Sequence, residues 1–454
     1  MRRAVALAVV GLVVAAGCGD DGGSSGGGGG GDGTLEVPAE FDTIQAAVDA
    51  ASPGDLVLVS PGVYQEAVTV ETDEVVIRGL DRAETILDGE FELENGIRVV
   101  GADGVAVENL TARNYTFNGF FWTGVDGYRG SYLNAIRNGD YGVYAFESVN
   151  GVFEHSYAAG SPDAGFYIGA CYPCNAVIDS VVSEWNGLGY SGTNAGGDLY
   201  IVNSVFRDNR AGVVPNVGTY EPCFPQREAT IVGNQVYRNN NGENDVIDFA
   251  QLALGNGILL TGVLDNVVER NRVWEHDITG IATVPLPEDD PQEITADELT
   301  PCEGTEIPDG VVDVPEDELP DTLLWPAQGN RITGNVVDGS GLADLALADL
   351  GLSPTPDGGN CFADNTAGST APVDLQAKAP CDGTPATAGF DDGALDVGAL
   401  IARDKPAPVP YQEVDLPDPG DQPEMPDAAT APARPQTGSP EFPDVAAISV
   451  PPRA

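Results

Sequence analysis

Side chains able to do acid–base, nucleophilic or metal chemistry are few in this chain. It has two histidines, His155 and His276. His155 falls in a recurring polar slot also filled by Ser131, Ser180 and Asn234. His276 follows Val273 as Asn209 and Asn239 follow Phe206 and Val236. Both read as stacked turn residues, which leaves a Ser-His-Asp or Cys-His arrangement without a base. Asp163, Asp198, Arg207, Asp208 and Arg210 supply acids and guanidiniums but no recognisable arrangement, and read as turn charge. Six cysteines besides Cys18 read as disulfides in an exported protein, with Cys171–Cys174, Cys223–Cys302 and Cys361–Cys381 the preferred pairing. A Cys171-Tyr-Pro-Cys174 zinc site would want a second such pair. The group best suited to binding is Tyr190, Thr193, Asn194, Asn216, Tyr220 and Glu221, where rings stand beside amides and an acid as sugar recognition requires.

What positions these residues is a repeat. A glycine followed by apolar residues recurs at Gly96, Gly119, Gly142, Gly165, Gly189 and Gly212, then at Gly257 and Gly280. Short period-2 runs broken by Gly, Asn, Asp and Ser fill each period, too short for helical repeats. The expected fold is all-β, a right-handed parallel β-helix of three strands per coil, with coils about 4.8 Å apart. A polar slot runs in step with the glycines through Ser131, His155, Ser180, Ser204, Asn234, Asn271, Asn335 and Asn365, and would stack as a ladder at one bend. Asp42, with Gln45 three residues on, reads as the cap of a short helix that closes the open end of the coil.

Over residues 35–370 the chain resembles the pectin-lyase-like superfamily of β-helix proteins with NosD-type repeats. The likeness rests on the Gly and Asn/Ser pattern and on the opening segments Thr43–Ala51 and Gly54–Val70. Within that superfamily it is most similar to exported bacterial lipoproteins without an assigned activity. Such a resemblance implies a fold rather than a reaction. Downstream Gln and paired-Asp motifs of pectin methylesterases have no counterpart here, nor has the Asp-Pro-His-Glu motif of alginate epimerases.

Charge limits the partners. The net charge is −51, from 71 acidic against 20 basic residues, and only Lys378 and Lys405 are lysines. Such a surface repels nucleic acid and anionic headgroups. No cofactor is expected, calcium being the ion an acidic exterior would favour. Residues 1–18 read as a lipoprotein signal, with Ala15-Ala-Gly-Cys18 preceding a lipidated Cys18, so the expected site is the cell envelope, outside the cytoplasm. Residues 19–33 read as a Gly/Ser-rich tether and 34–382 as the solenoid. Insertions are expected at 215–228, 239–256 and 285–328, the last with 14 acidic residues and no Lys or Arg. Residues 383–454, rich in Pro and Asp, read as a largely disordered tail.

The expected function is that of a monomeric, lipid-anchored β-helix that binds a surface polysaccharide or protein without catalysis. One alternative is a polysaccharide lyase or glycoside hydrolase working along the solenoid face. Another is a NosD-like periplasmic accessory factor, which the lack of Met clusters and spare His or Cys disfavours.

Overall fold

The structure, a computed structural model, describes residues 33–289, 291, 302, 312–313, 322–386, 388–420 and 422–453. The signal segment, Cys18, the tether to residue 32 and most of the acidic 285–328 insertion lie outside the described residues.

Among the described residues, three parallel sheets of 12, 11 and 11 strands wind into a right-handed β-helix. The first sheet runs from Thr34–Val37 to Cys361–Ala363, the second from Gly62–Tyr64 to Thr366–Ala367, and the third from Val68–Val70 to Thr370–Ala371. Each strand pairs with its equivalent one coil on. In the first sheet this places Phe153, Ile178, Ile201, Ile231, Val268 and Ile332 in one inward column. These apolar columns, closed off from water, form the core.

The repeat glycines are explained by crowding. None of Gly96, Gly119, Gly142, Gly165, Gly189, Gly212, Gly257 or Gly280 has a positive φ. Instead the next coil's carbonyl passes so close that a Cβ on Gly142 would lie 2.6 Å from Gly165 O, and one on Gly212 2.4 Å from Gly257 O. The left-handed conformation is concentrated one residue past the strand ends, where Asn109, Tyr132, His155, Ser180 and Asn203 have φ of 48–56°.

That column corrects the expected ladder. His155 and Ser180 stand with Tyr132 and Asn203, at the outside of the bend. Ser204, Asn234, Asn271, Asn335 and Asn365 stand one residue further on, inside it. There each backbone N–H donates to the next side-chain oxygen at 2.9 Å. The expectation placed Val152 and Val177 in line with Ile201, but pairing aligns Phe153 and Ile178 with it. Both faces are apolar there, so alternation alone does not fix the phase, and a slip of one residue exchanges inside for outside. Ser131, paired with Glu154, is likewise one residue out of step. His155 instead stacks on the Tyr132 ring at 4.8 Å.

His276 does enter a buried ladder, at the bend between the second and third sheets. Asn186 N–H donates to Asn209 Oδ1 and Asn209 N–H to Asn239 Oδ1, both at 3.0 Å. Asn239 N–H then donates to His276 Nδ1 at 3.3 Å. With Nδ1 accepting, the proton sits on Nε2, which faces Val236 O at 3.2 Å. Burial pulls the imidazole down to about 4, against a smaller upward effect of that carbonyl.

The helix Ile44–Ala50 caps the first coil, buried through Ile44, Ala47 and Val48. Its N-cap is Thr43 rather than Asp42: Thr43 Oγ1 accepts from Ala46 N–H at 3.1 Å. The Glu66 carboxylate takes the Ile44 and Gln45 amides at 3.1 and 3.0 Å, so the acid that serves this N-terminus comes from the next coil rather than from sequence position three.

The proline-rich C-terminal segment differs most from expectation. Residues 406–453 lie along the outer faces of the first and second sheets, held by arginines that donate to main-chain carbonyls. Arg137 reaches Gln412 O and Val414 O, and Arg82 reaches Pro423 O. Arg78 reaches Ala431 O and Pro432 O, Arg270 reaches Val445 O and Ile448 O, and Arg272 reaches Pro451 O, all at 2.6–3.0 Å. An extended proline-rich chain leaves its carbonyls outward and unpaired, and the guanidinium's five N–H groups match them. The expected disorder therefore does not describe this segment.

Candidate functional site

Three insertions leave the coil after third-sheet strands, and one leaves before that sheet. They wall a cleft of about 460 Å³ over its outer face. The floor comes from the strands Leu188–Thr193 and Ala211–Asn216, whose outward residues include Ser191, Thr193 and Asn216. Thr193 Oγ1 donates to Asn216 Oδ1 at 2.8 Å, and the Tyr220 hydroxyl stands 3.4 Å from the same oxygen. Asn216 Nδ2 donates to Ser191 Oγ at 3.2 Å. The second wall is the strand Leu286–Asp289, paired antiparallel with Thr322–Trp325. Its Glu288 accepts from Thr219 N–H and Oγ1 at 2.7 and 2.6 Å and from Trp325 Nε1 at 2.7 Å. Behind it, Val217, Phe224, Leu286 and Trp325 form a small apolar core. Ile247 and Leu252, flanking the short helix Asp248–Leu252, make the apolar rim opposite.

Of the six residues expected to bind, four line this cleft: Thr193, Asn216, Tyr220 and Glu221. Asn194 is fully buried beneath it. Its Nδ2 donates to Gly218 O and Glu221 O, both at 2.7 Å, and its Oδ1 accepts from Gly218 N–H at 3.2 Å. It therefore shapes the loop that presents Tyr220 and Glu221. Tyr190 faces the coil interior and is 1 % exposed, its hydroxyl donating to Ile168 O at 3.4 Å. Alternation along the strand places Tyr190 inside because Ser191 is outside.

Sequence reasoning missed Asp140, Tyr141, Tyr144, Asp163 and Tyr167. Asp140 and Asp163 each stand two residues before a repeat glycine, Gly142 and Gly165, and so are stacked on adjacent coils, with Asp163 N–H donating to Asp140 O at 3.1 Å. That shared position was the signal in the sequence. Phe121, Tyr144 and Tyr167 form an in-register outward column. Phe121 stacks on Tyr144 at 4.8 Å, and Tyr141 stacks on Tyr144 at 4.3 Å. Mutual stacking uses up the faces of these rings, leaving edges and hydroxyls toward the cleft. Tyr220, 49 % exposed, is the ring with a face to offer a ligand.

The electrostatics are unusual. Asp163, 4 % exposed, is pushed well up by burial, then by the Asp140 charge, with Tyr141 opposing. Burial raises Asp140 to about 6. Glu221 is pushed up to about 8, chiefly by burial and further by Glu147, against the Tyr167 hydroxyl that donates to it at 2.5 Å. No Lys, Arg or His lines the cleft. Near neutral pH its acids are therefore partly protonated, and they combine with phenols, amides and hydroxyls into a set able both to donate and to accept. Placing like acids together without counter-charge costs stability that packing does not require, a mark of a functional site.

The other titratable candidates do not converge on it. Asp198 lies on an exposed strand of the first sheet and takes the Tyr200 hydroxyl at 3.2 Å. Arg207 pairs with Glu184 at 2.6 Å on the second sheet. Asp208 pairs with Arg238 at 2.8 Å at a corner, and Arg210 is buried, donating to Gly242 O at 3.0 Å. Cys171–Cys174, Cys223–Cys302 and Cys361–Cys381 are disulfide-bonded, with Cα separations of 4.9, 5.2 and 4.9 Å. The second ties the loop carrying Tyr220 and Glu221 to the acidic insertion. Among the described residues, no group of three or more His, Cys, Asp or Glu is placed to hold a metal ion.

No family model and no curated relative matches the chain. Among solved structures it is similar to the A-module of an Azotobacter vinelandii mannuronan C-5 epimerase, with 17 % identity over 75 % of this chain and 93 % of that one, at a TM-score of 0.45. An alginate lyase from a Paenibacillus species shares 14 % identity over 74 % and 99 % of the two chains, at a TM-score of 0.43. A periplasmic alginate epimerase shares 12 % identity over 74 % and 83 %, at a TM-score of 0.39.

Proposed function

We propose that this protein is an extracytoplasmic β-helix that binds a carbohydrate in the cleft over the third sheet. The observation that carries this reading is the convergence there of the exposed Tyr220 ring with the Asn216 amide, the Thr193 and Ser191 hydroxyls and the Glu221 carboxyl. Sugars are held by a ring face beneath their C–H groups and by mixed donors and acceptors around their hydroxyls. Three disulfides fit an oxidising compartment, and the lipid anchor at Cys18 belongs to the same proposal. The test is an oligosaccharide array followed by calorimetry. Tyr220→Ala should weaken binding about tenfold or more, and wild-type-like affinity in that variant would refute the assignment.

A second reading, glycoside hydrolysis, is favoured by one observation: Glu221, near pH 8, keeps its proton at neutral pH as a general acid must. It requires new reducing ends from the bound glycan and their loss in Glu221→Gln. Binding with no cleavage would leave the first reading alone.

A further inference from the structure

We propose that the cleft selects uncharged glycans and rejects uronates and sulfated sugars. The proposal rests on reading the cleft as a carbohydrate site. Every titratable side chain that lines it is an acid or a phenol. The donors that could have met an anion on the hairpin wall, the Thr219 amide and hydroxyl and the Trp325 indole N–H, are already turned onto Glu288. The outward column that floors the region begins Thr69, Arg98, Phe121, Tyr144, Tyr167, Ser191. Its basic member, Arg98, lies three coils before Tyr167 and is engaged with the Phe121 ring at 5.9 Å.

A carboxylate or sulfate entering this space would meet Asp163 and Glu221 without a guanidinium, ammonium or unspent amide to offset the charge. Buried like charges repel far more strongly than exposed ones. An uncharged hydroxyl meets the reverse situation. It can donate to Asn216 Oδ1 and accept from a protonated Glu221, exchanging its water hydrogen bonds for equivalent ones. Repulsive groups of this kind set specificity by penalising the wrong ligand rather than by adding contacts to the right one.

The test compares one glycan chain in two charge states. The neutral oligosaccharide bound best on an array is oxidised at its primary hydroxyls to the corresponding uronate, and both forms are titrated into full-length protein at low salt. The uronate should bind on the order of tenfold more weakly or worse. In the double variant Asp163→Asn, Glu221→Gln the gap should narrow severalfold, with circular dichroism confirming the fold. Equal or tighter uronate binding overturns the charge rule and leaves the carbohydrate reading standing, as does a gap that the double variant leaves unchanged. If no glycan of either kind binds, the reading of the site itself fails.

Discussion

Tyr167 donates its hydroxyl to Glu221 Oε2 at 2.5 Å, joining the floor of the third sheet to the loop that overhangs it. Its strand, Ala164–Gly169, and the loop that carries Glu221 are two coils apart, so this contact fixes the shape of the cleft across coils.

Glu221 gives the first prediction. Unfolded, it releases its proton near 4.5; folded, near 8. The folded state binds more protons between those values, so the contribution of Glu221 to stability is full below pH 4.5 and lost as pH rises to about 8. Glu221→Gln keeps an acceptor for Tyr167 and removes the titration. Its melting temperature relative to wild type should therefore climb between pH 5 and pH 8, by on the order of 3 °C or more. A flat difference would show that Glu221 is not desolvated.

His276 predicts the opposite slope. Its folded pKa, about 4, lies below the ordinary 6.5, so its contribution is full above pH 6.5 and lost as pH falls toward 4. His276→Asn extends the asparagine ladder and should flatten that part of the stability profile. His276→Ala, which leaves the buried Asn239 N–H without a partner, should cost roughly 2–4 kcal/mol in urea melts. Equal stability for the two variants would deny the ladder.

Two glycines separate crowding from backbone conformation. Gly142→Ala places a Cβ 2.6 Å from Gly165 O, whereas Gly101, with φ +60°, would meet nothing within 4 Å of an added methyl group. Gly142→Ala should cost roughly 3 kcal/mol or more, and Gly101→Ala about 1 kcal/mol. The reverse order would mean that the repeat glycines serve turn conformation after all.

Much of this fold was legible because coils at a fixed period repeat their glycines and asparagines in register. The phase was less so. Around Val152 and Val177 the outward residues are as apolar as the inward ones, and this put His155 in the wrong column. In the cleft, Thr193, Asn216, Tyr220 and Glu221 could be found because they sit beside insertions. Tyr190 misled because an aromatic residue looks the same on either face of a strand. The strap was illegible for a different reason: composition reports side chains, while its partners to Arg78, Arg137 and Arg270 are main-chain carbonyls contributed chiefly by segments that composition marks as disordered.

Arg78 tests that strap. It is fully buried, pairs with Glu108 at 2.7 Å and donates to Ala431 O and Pro432 O. Arg78→Ala leaves Glu108 with the Arg129 pair alone and should cost roughly 3–5 kcal/mol. Limited proteolysis should then cut within residues 406–453 while the coil stays intact. Unchanged resistance would mean that the strap is held without its arginine contacts.

The most direct measurement is a crystal structure of the full chain with the oligosaccharide that an array selects. A sugar ring against Tyr220, with its hydroxyls on Asn216 and Glu221 and the Leu286–Asp289 strand alongside, is the predicted result. A glycan seated instead on the outer face of the first or second sheet, with the cleft untouched, would contradict it.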